Sequence, residues 1–187
     1  MRPYMIPTAA LLVTLSSSAN AVDENACAAD MVCATSPASV VTALQGAGYR
    51  AELKKDNVGE YISSAAGGYN FLLSFLGCSE GVKCDSLQFS IVFKPHPDQT
   101  AEYANGFNLK YRYLQAAARE NNELRLTYDL NTMGGVTKRN FMDVVDMWSR
   151  GLGSFSAYVR DEAAKKILPV PPAPPTSSPA PPPPPLK

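Results

Sequence analysis

The sequence predicts an α+β domain: an antiparallel sheet of about five to six strands, with three helices packed mainly on one face. Three observations predict it. The elements run helix, three or four strands, helix, two strands, helix. Strand follows strand across short turns, with Gly67-Gly68 and Asn121-Asn122 at two of them. No βαβ alternation occurs, so a parallel sheet is not expected.

Each element has a local cause. Ser36-Pro37 starts the first helix, serine as N-cap and proline at the first helical position. Val40, Val41, Leu44 and Ala47 follow at helical spacing, and Gly46 and Gly48 end it. Tyr49, Ala51 and Leu53 alternate along a first strand that ends at Lys55, and Asp56-Asn57-Val58-Gly59 turns the chain. Residues 60–66 make a second strand, Gly67-Gly68 a hairpin turn, and residues 69–76 a third strand with Phe71, Leu73 and Phe75 on one side. Leu87, Phe89, Ile91 and Phe93 alternate with Gln88, Ser90 and Val92 in a half-buried strand.

Lys94-Pro95-His96-Pro97-Asp98 breaks that pattern. A second helix is expected from about Asp98 or Thr100 to Arg112, packing through Tyr103, Ala104, Phe107 and Tyr111. Residues 113–119 read as a strand. Leu124, Leu126, Tyr128 and Leu130 then alternate with Arg125, Thr127 and Asp129. The last helix is capped by Thr137 and carries a stripe of Phe141, Val145, Trp148, Leu152, Phe155 and Val159. Gly151 and Gly153 weaken it, and a bend is expected there.

The ends differ from this core. Residues 1–21 have the parts of a signal peptide: Arg2, the apolar run Ala9 to Leu15, and Ala19-Asn20-Ala21 as an A-x-A site. Cleavage is expected after Ala21, with export to the periplasm or medium. The run is shorter than the ~18 residues that cross a bilayer, so no membrane span is expected. Residues 22–35 read as a loose segment holding a cysteine pair, and residues 36–168 as the folded domain. Eleven of the 16 prolines fall in residues 169–187, too poor in apolar side chains for a core and expected to be disordered. In polyproline II this tail would extend on the order of 60 Å. A spacer, a ligand for a proline-binding groove and an end without a role all fit that composition.

Cys27 and Cys33 have the same spacing as Cys78 and Cys84. Disulfides persist in an oxidising compartment. Four cysteines allow three pairings, and the local one is favoured, because Cys78–Cys84 would close the polar loop between two strands. A seven-residue loop gains about 2.4 kcal/mol in the chain-entropy picture. Zinc pairs are usually spaced C-x₂₋₄-C, closer than these.

Several motifs together carry a family resemblance. They are Phe75-x-x-Cys78, Cys84-x-x-Leu87-x-Phe89, Asn105-x-Phe107-Asn108, and Gly134-Gly135-Val136-Thr137-x₃-Phe141 with Trp148 seven residues on. The stretch from Ser36 to Val159 resembles the YbjN-domain family, described as regulators of bacterial sensory transduction. The resemblance implies a fold similar to type III secretion chaperones and brings no catalytic residues.

Catalytic chemistry is not expected. The chain has 1 histidine, His96, in a proline-flanked loop without an evident nucleophile. No nucleophile elbow is expected, and Ser-x-x-Lys occurs nowhere. No metal or cofactor is expected. Net charge is zero, 17 basic against 17 acidic residues, which gives no basic field for nucleic acid. Asp143 and Asp146 read as a solvent face. Asn105, Asn108 and Tyr111 are the candidate partner surface, with amides anchoring the helix to a neighbouring loop as the plainer reading. The expected function is an exported, non-enzymatic domain that binds an unknown protein or peptide, regulatory or chaperone-like, as a monomer or weak homodimer. The alternative is a structural or stress-response envelope factor acting through its proline-rich tail.

Overall fold

A computed structural model describes residues 27–79 and 83–167. The expected signal sequence, the centre of the second cysteine loop and the proline run lie outside the described residues. In chain order the elements are β1 (Met31–Val32), α1 (Pro37–Gly46), β2 (Ala51–Lys55), β3 (Glu60–Ala66), β4 (Tyr69–Leu76) and β5 (Ser86–Phe93). They continue with α2 (Ala101–Lys110), β6 (Gln115–Ala118), β7 (Leu124–Asn131), β8 (Val136–Thr137) and α3 (Lys138–Ile167). Six strands form one antiparallel sheet in the order β2-β3-β4-β5-β7-β6, and β1 pairs with β8 in a separate ribbon. This is the α+β architecture that the alternation and hairpins predict.

Turn chemistry sets the register. Gly67 and Gly68 both take positive φ, 58° and 83°, the geometry of a tight hairpin turn whose twist matches the strands. Asp56 Oδ1 accepts the backbone N–H groups of Val58 and Gly59, and Asn122 turns the β6–β7 hairpin at φ 58°. The resulting register aligns Ile62, Leu73, Phe89 and Tyr128 across four strands. Ile91, Leu126 and Ala116 form a neighbouring row.

Helix α3 lies over these rows. Trp148 is fully buried, its ring 5.6 Å from Phe71 and 5.7 Å from Phe89. Phe155 meets Phe93 at 4.9 Å and Phe107 of α2 at 5.4 Å. Helix α2 starts at Thr100, whose Oγ1 accepts the Tyr103 N–H. Thr137 caps α3 in the same way, accepting from the Asn140 N–H.

Several expectations are corrected. Ser36 makes no side-chain cap; Ser39 Oγ instead accepts the Cys33 N–H and donates to the Ser36 carbonyl. Ala47 is exposed and Ala43 takes its place in the core. Leu53 is exposed because β2 is the sheet's edge. The expected strand 113–119 is only Gln115–Ala118, because Tyr113 sits at φ 77°, outside the β region. Residues 31–34 are not loose: Val32, Cys33 and Ala34 are buried where β1 adds to β8. The stripe on α3 continues through Tyr158 and leaves Val159 exposed, since a step of three keeps the side chain over α2. The helix runs unbroken past Gly151. A Cβ there would overlap the side chain of Leu114, so the glycine is a notch for close packing and not a weak point.

Candidate groove between two helices and a loop

Three distant segments converge beside the second half of α3. Tyr69 and Phe93 come from the sheet, residues 94–100 from the loop after β5, and Tyr103 and Gly106 from α2. Phe155, Val159, Ala163 and Lys166 of α3 complete the groove, recurring at helical spacing on one face. Its volume is about 1280 Å³, above the about 300–1,000 Å³ of a typical small-molecule pocket. The size suits a peptide segment better than a metabolite.

The walls are tied together. Tyr69 and Ser156 hydroxyls lie 2.7 Å apart, and Ser156 Oγ donates to the Leu152 carbonyl. The Tyr158 hydroxyl donates to the Tyr103 carbonyl at 2.9 Å, and the two rings sit 5.0 Å apart. Burial, then the charges of Tyr158, Glu162 and Asp98, push the Tyr103 hydroxyl up to about 12. Burial also raises Tyr158. Both phenols therefore stay neutral over the physiological range and offer polar tips on apolar bodies.

The rim is charged with both signs. Asp98 pairs with Lys166, and the hydrogen bond from that ammonium holds its carboxyl below the usual range. Lys165 pairs with Glu162 at 2.6 Å. Lys94, Arg160 and Glu102 have no ion-pair partner among the described residues. His96 Nδ1 accepts the Asp98 backbone N–H at 3.3 Å or, when protonated, faces the Asp98 carboxylate at 3.5 Å. Both contacts are exposed, and no hydroxyl or thiol nucleophile is bonded to the ring among the described residues.

Other sequence-chosen residues lie elsewhere. Cys27 is bonded to Cys33, and Cys78 to Cys84. Asn108 spans the edge strand: its Nδ2 donates to the Ala116 carbonyl at 2.9 Å and its Oδ1 accepts the Ala116 N–H at 2.8 Å. Asn105 is exposed on α2 without a hydrogen bond among the described residues. Tyr111 packs on Phe107 at 5.0 Å. None of these three lines the groove. Asp146 accepts the Tyr49 hydroxyl at 3.4 Å, and Asp143 is exposed.

Residues 77–81 spell G-x-S-x-G, which the expectation of no nucleophile elbow passes over. An elbow needs a strand-to-helix turn. Here the letters lie between strands β4 and β5, with Cys78 disulfide-bonded and Ser79 bridged to Lys83. A metal-binding cluster of three or more His, Cys, Asp or Glu is absent among the described residues.

The sheet offers two other surfaces. Its uncovered face carries Leu72, Leu76 and Val92 among Ser63, Ser74, Gln88, Thr127 and Asp129. Its edges are blunted: Asn108 occupies β6, while Gln45 donates to the Ala51 carbonyl on β2, whose remaining residues include Glu52, Lys54 and Lys55. Charged, partly capped edges disfavour strand addition. Sequence reasoning missed the groove because no local pattern joins residues 69, 93–106 and 155–166.

The comparisons with known proteins bear on this fold. The YbjN family profile, described as "Putative bacterial sensory transduction regulator", matches residues 36–160. A crystal structure of YbjN from E. coli, titled a putative transcription regulator, aligns with a TM-score of 0.51 at 14% identity. The match covers 73% of this chain and 96% of that one. At that identity it establishes shared fold and nothing finer. No curated protein sequence matches the chain. The profile match spans residues 36–160, more than half of the chain, and the chain belongs to the YbjN family.

Proposed function

We propose that this chain is an exported, non-enzymatic YbjN domain that binds a protein or peptide in the groove between α2, α3 and the loop 94–100. The groove carries the proposal. It joins half-buried aromatic surface to a rim where Lys94 and Arg160 have no ion-pair partner among the described residues, the combination by which a peptide is held through apolar contacts and oriented by its carbonyls. Among the described residues that line the groove no nucleophile is bonded to His96, which favours binding over catalysis in this reading.

Two disulfides support an oxidising compartment, and the A-x-A pattern ending at Ala21 supports export. Among the described residues no helix is long and apolar enough to cross a membrane. The domain acts as a monomer or weak homodimer, a reading supported by the 28 buried apolar residues that form a core among the described residues. A photocrosslinking residue placed at Val159 in the bacterial periplasm tests the site, with Leu72 on the uncovered sheet face as the control. Capture from position 159 and not from 72 is expected. Capture only from 72 moves the site to the sheet face.

A further inference from the structure

We infer that the chain's own proline-rich tail occupies this groove, docking residues 169–175 along α3 in the absence of another ligand. The inference rests on the groove being the binding site and names its resident occupant.

Three observations carry it. First, position: α3 lines the groove from Phe155 to Lys166, and the described chain ends at Ile167, at the groove's own end. The tail therefore starts where the groove does. Second, length: the helix from Phe155 to Ile167 rises about 18 Å. About six residues of polyproline II span the same distance. Leu168 precedes Pro169, a placement that disfavours continuing the helix, and 20 residues remain from 168 to 187, enough to reverse direction and lie back along α3.

Third, chemistry. Pro169-Val170-Pro171-Pro172-Ala173-Pro174-Pro175 has no charge and few backbone donors, while every carbonyl remains an acceptor. Such a segment docks on aromatic surface flanked by donors. The groove offers Tyr69, Phe93 and Tyr103 as surface, and Lys94 and Arg160 as donors without an ion-pair partner among the described residues. Asp98 and Glu162 are already neutralised by Lys166 and Lys165, so the acids that would repel carbonyls are occupied, apart from Glu102 on the α2 side. Local attachment adds a high effective concentration to a contact that is weak on its own. The tail then acts as a tethered competitor that a stronger ligand must displace.

The full mature chain tests this with benzoylphenylalanine at Val159, irradiated at low protein concentration. Tryptic fragments 151–160 and 167–187 are expected to be joined within one molecule. Replacing Pro171, Pro172, Pro174 and Pro175 with serine in the full chain is expected to cut that product at least tenfold. The same probe at Ala163 repeats the measurement should position 159 disturb folding, and a probe at Leu72 is expected to give no tail product. Absence of a tail product from both groove positions, 151–160 joined to 167–187 for the Val159 probe and 161–165 joined to 167–187 for the Ala163 probe, overturns the inference. So does a product of equal yield from Leu72, or one found only between two chains. If the tail product is absent but the Val159 probe still captures a periplasmic protein, only the tail docking fails. If both are absent, the groove reading fails with it.

Discussion

Helix α3 has two halves built from similar residues and put to different use. Its first half, up to Leu152, turns Phe141, Val145, Trp148 and Leu152 fully into the sheet. Its second half turns Phe155 and Tyr158 inward but leaves Val159, Ala163 and Lys166 along an open groove. The sheet packs under the first half, whereas beside the second half Tyr69 and Phe93 of the sheet, α2 and the proline-flanked loop touch Phe155, Ser156 and Tyr158 and leave a groove next to Val159, Ala163 and Lys166. One helix therefore serves as core lid at one end and lines the proposed binding groove at the other. The difference comes from what lies opposite and not from the helix's own sequence, since large apolar side chains occur in both halves.

The largest expected effect lies in the first half. Trp148→Ala removes the indole wedged between Phe71 and Phe89, and about 3–5 kcal/mol of stability should go with it, read as a lower urea midpoint. An unchanged midpoint would mean that the stripe does not face the sheet.

The two glycines near the midpoint sharpen the contrast. Gly151 faces Leu114, whereas a Cβ at Gly153 meets nothing within 4 Å. Gly151→Val should destabilise by about 1–3 kcal/mol through overpacking, while Gly153→Ala should stabilise by about 1 kcal/mol through helix propensity. Thermal melts of both variants read the signs. Destabilisation of equal size at both positions would remove the distinction between packed and open faces.

A smaller effect concerns the groove's tyrosines. Folding raises Tyr103 to about 12 from 10.0, chiefly by burial. A raised folded value favours the neutral phenol, so its contribution to stability is complete below about pH 10 and is lost as pH rises towards 12. Tyr103→Phe should flatten the fall in urea midpoint across that window, and a wild-type slope in the variant would show that this phenol does not drive it.

Much of the fold is legible in the sequence. Strict alternation from Leu124 to Leu130 and the paired glycines at 67 and 68 fix strands and turns locally, because both signals concern neighbours in the chain. What escapes is non-local. The ribbon between Met31–Val32 and Val136–Thr137 joins two short segments too brief to show a period. The choice of Tyr158 over Val159 turns on a hydroxyl reaching the Tyr103 carbonyl on another helix. Asn108 is legible as an anchoring amide, yet its partner, both backbone groups of Ala116, appears only once β6 is formed. The groove was least legible, since it exists only where three separated segments meet.

The account's central claim is that the second half of α3 is a binding wall, and Val159→Asp tests it most directly. Val159 is 41% exposed, so the substitution should shift the urea midpoint by no more than about 0.5 kcal/mol in stability. Crosslinked capture of a periplasmic partner, probed from Ala163, should be lost at that unchanged stability. Capture at the wild-type level by a stably folded Val159→Asp protein would contradict the claim.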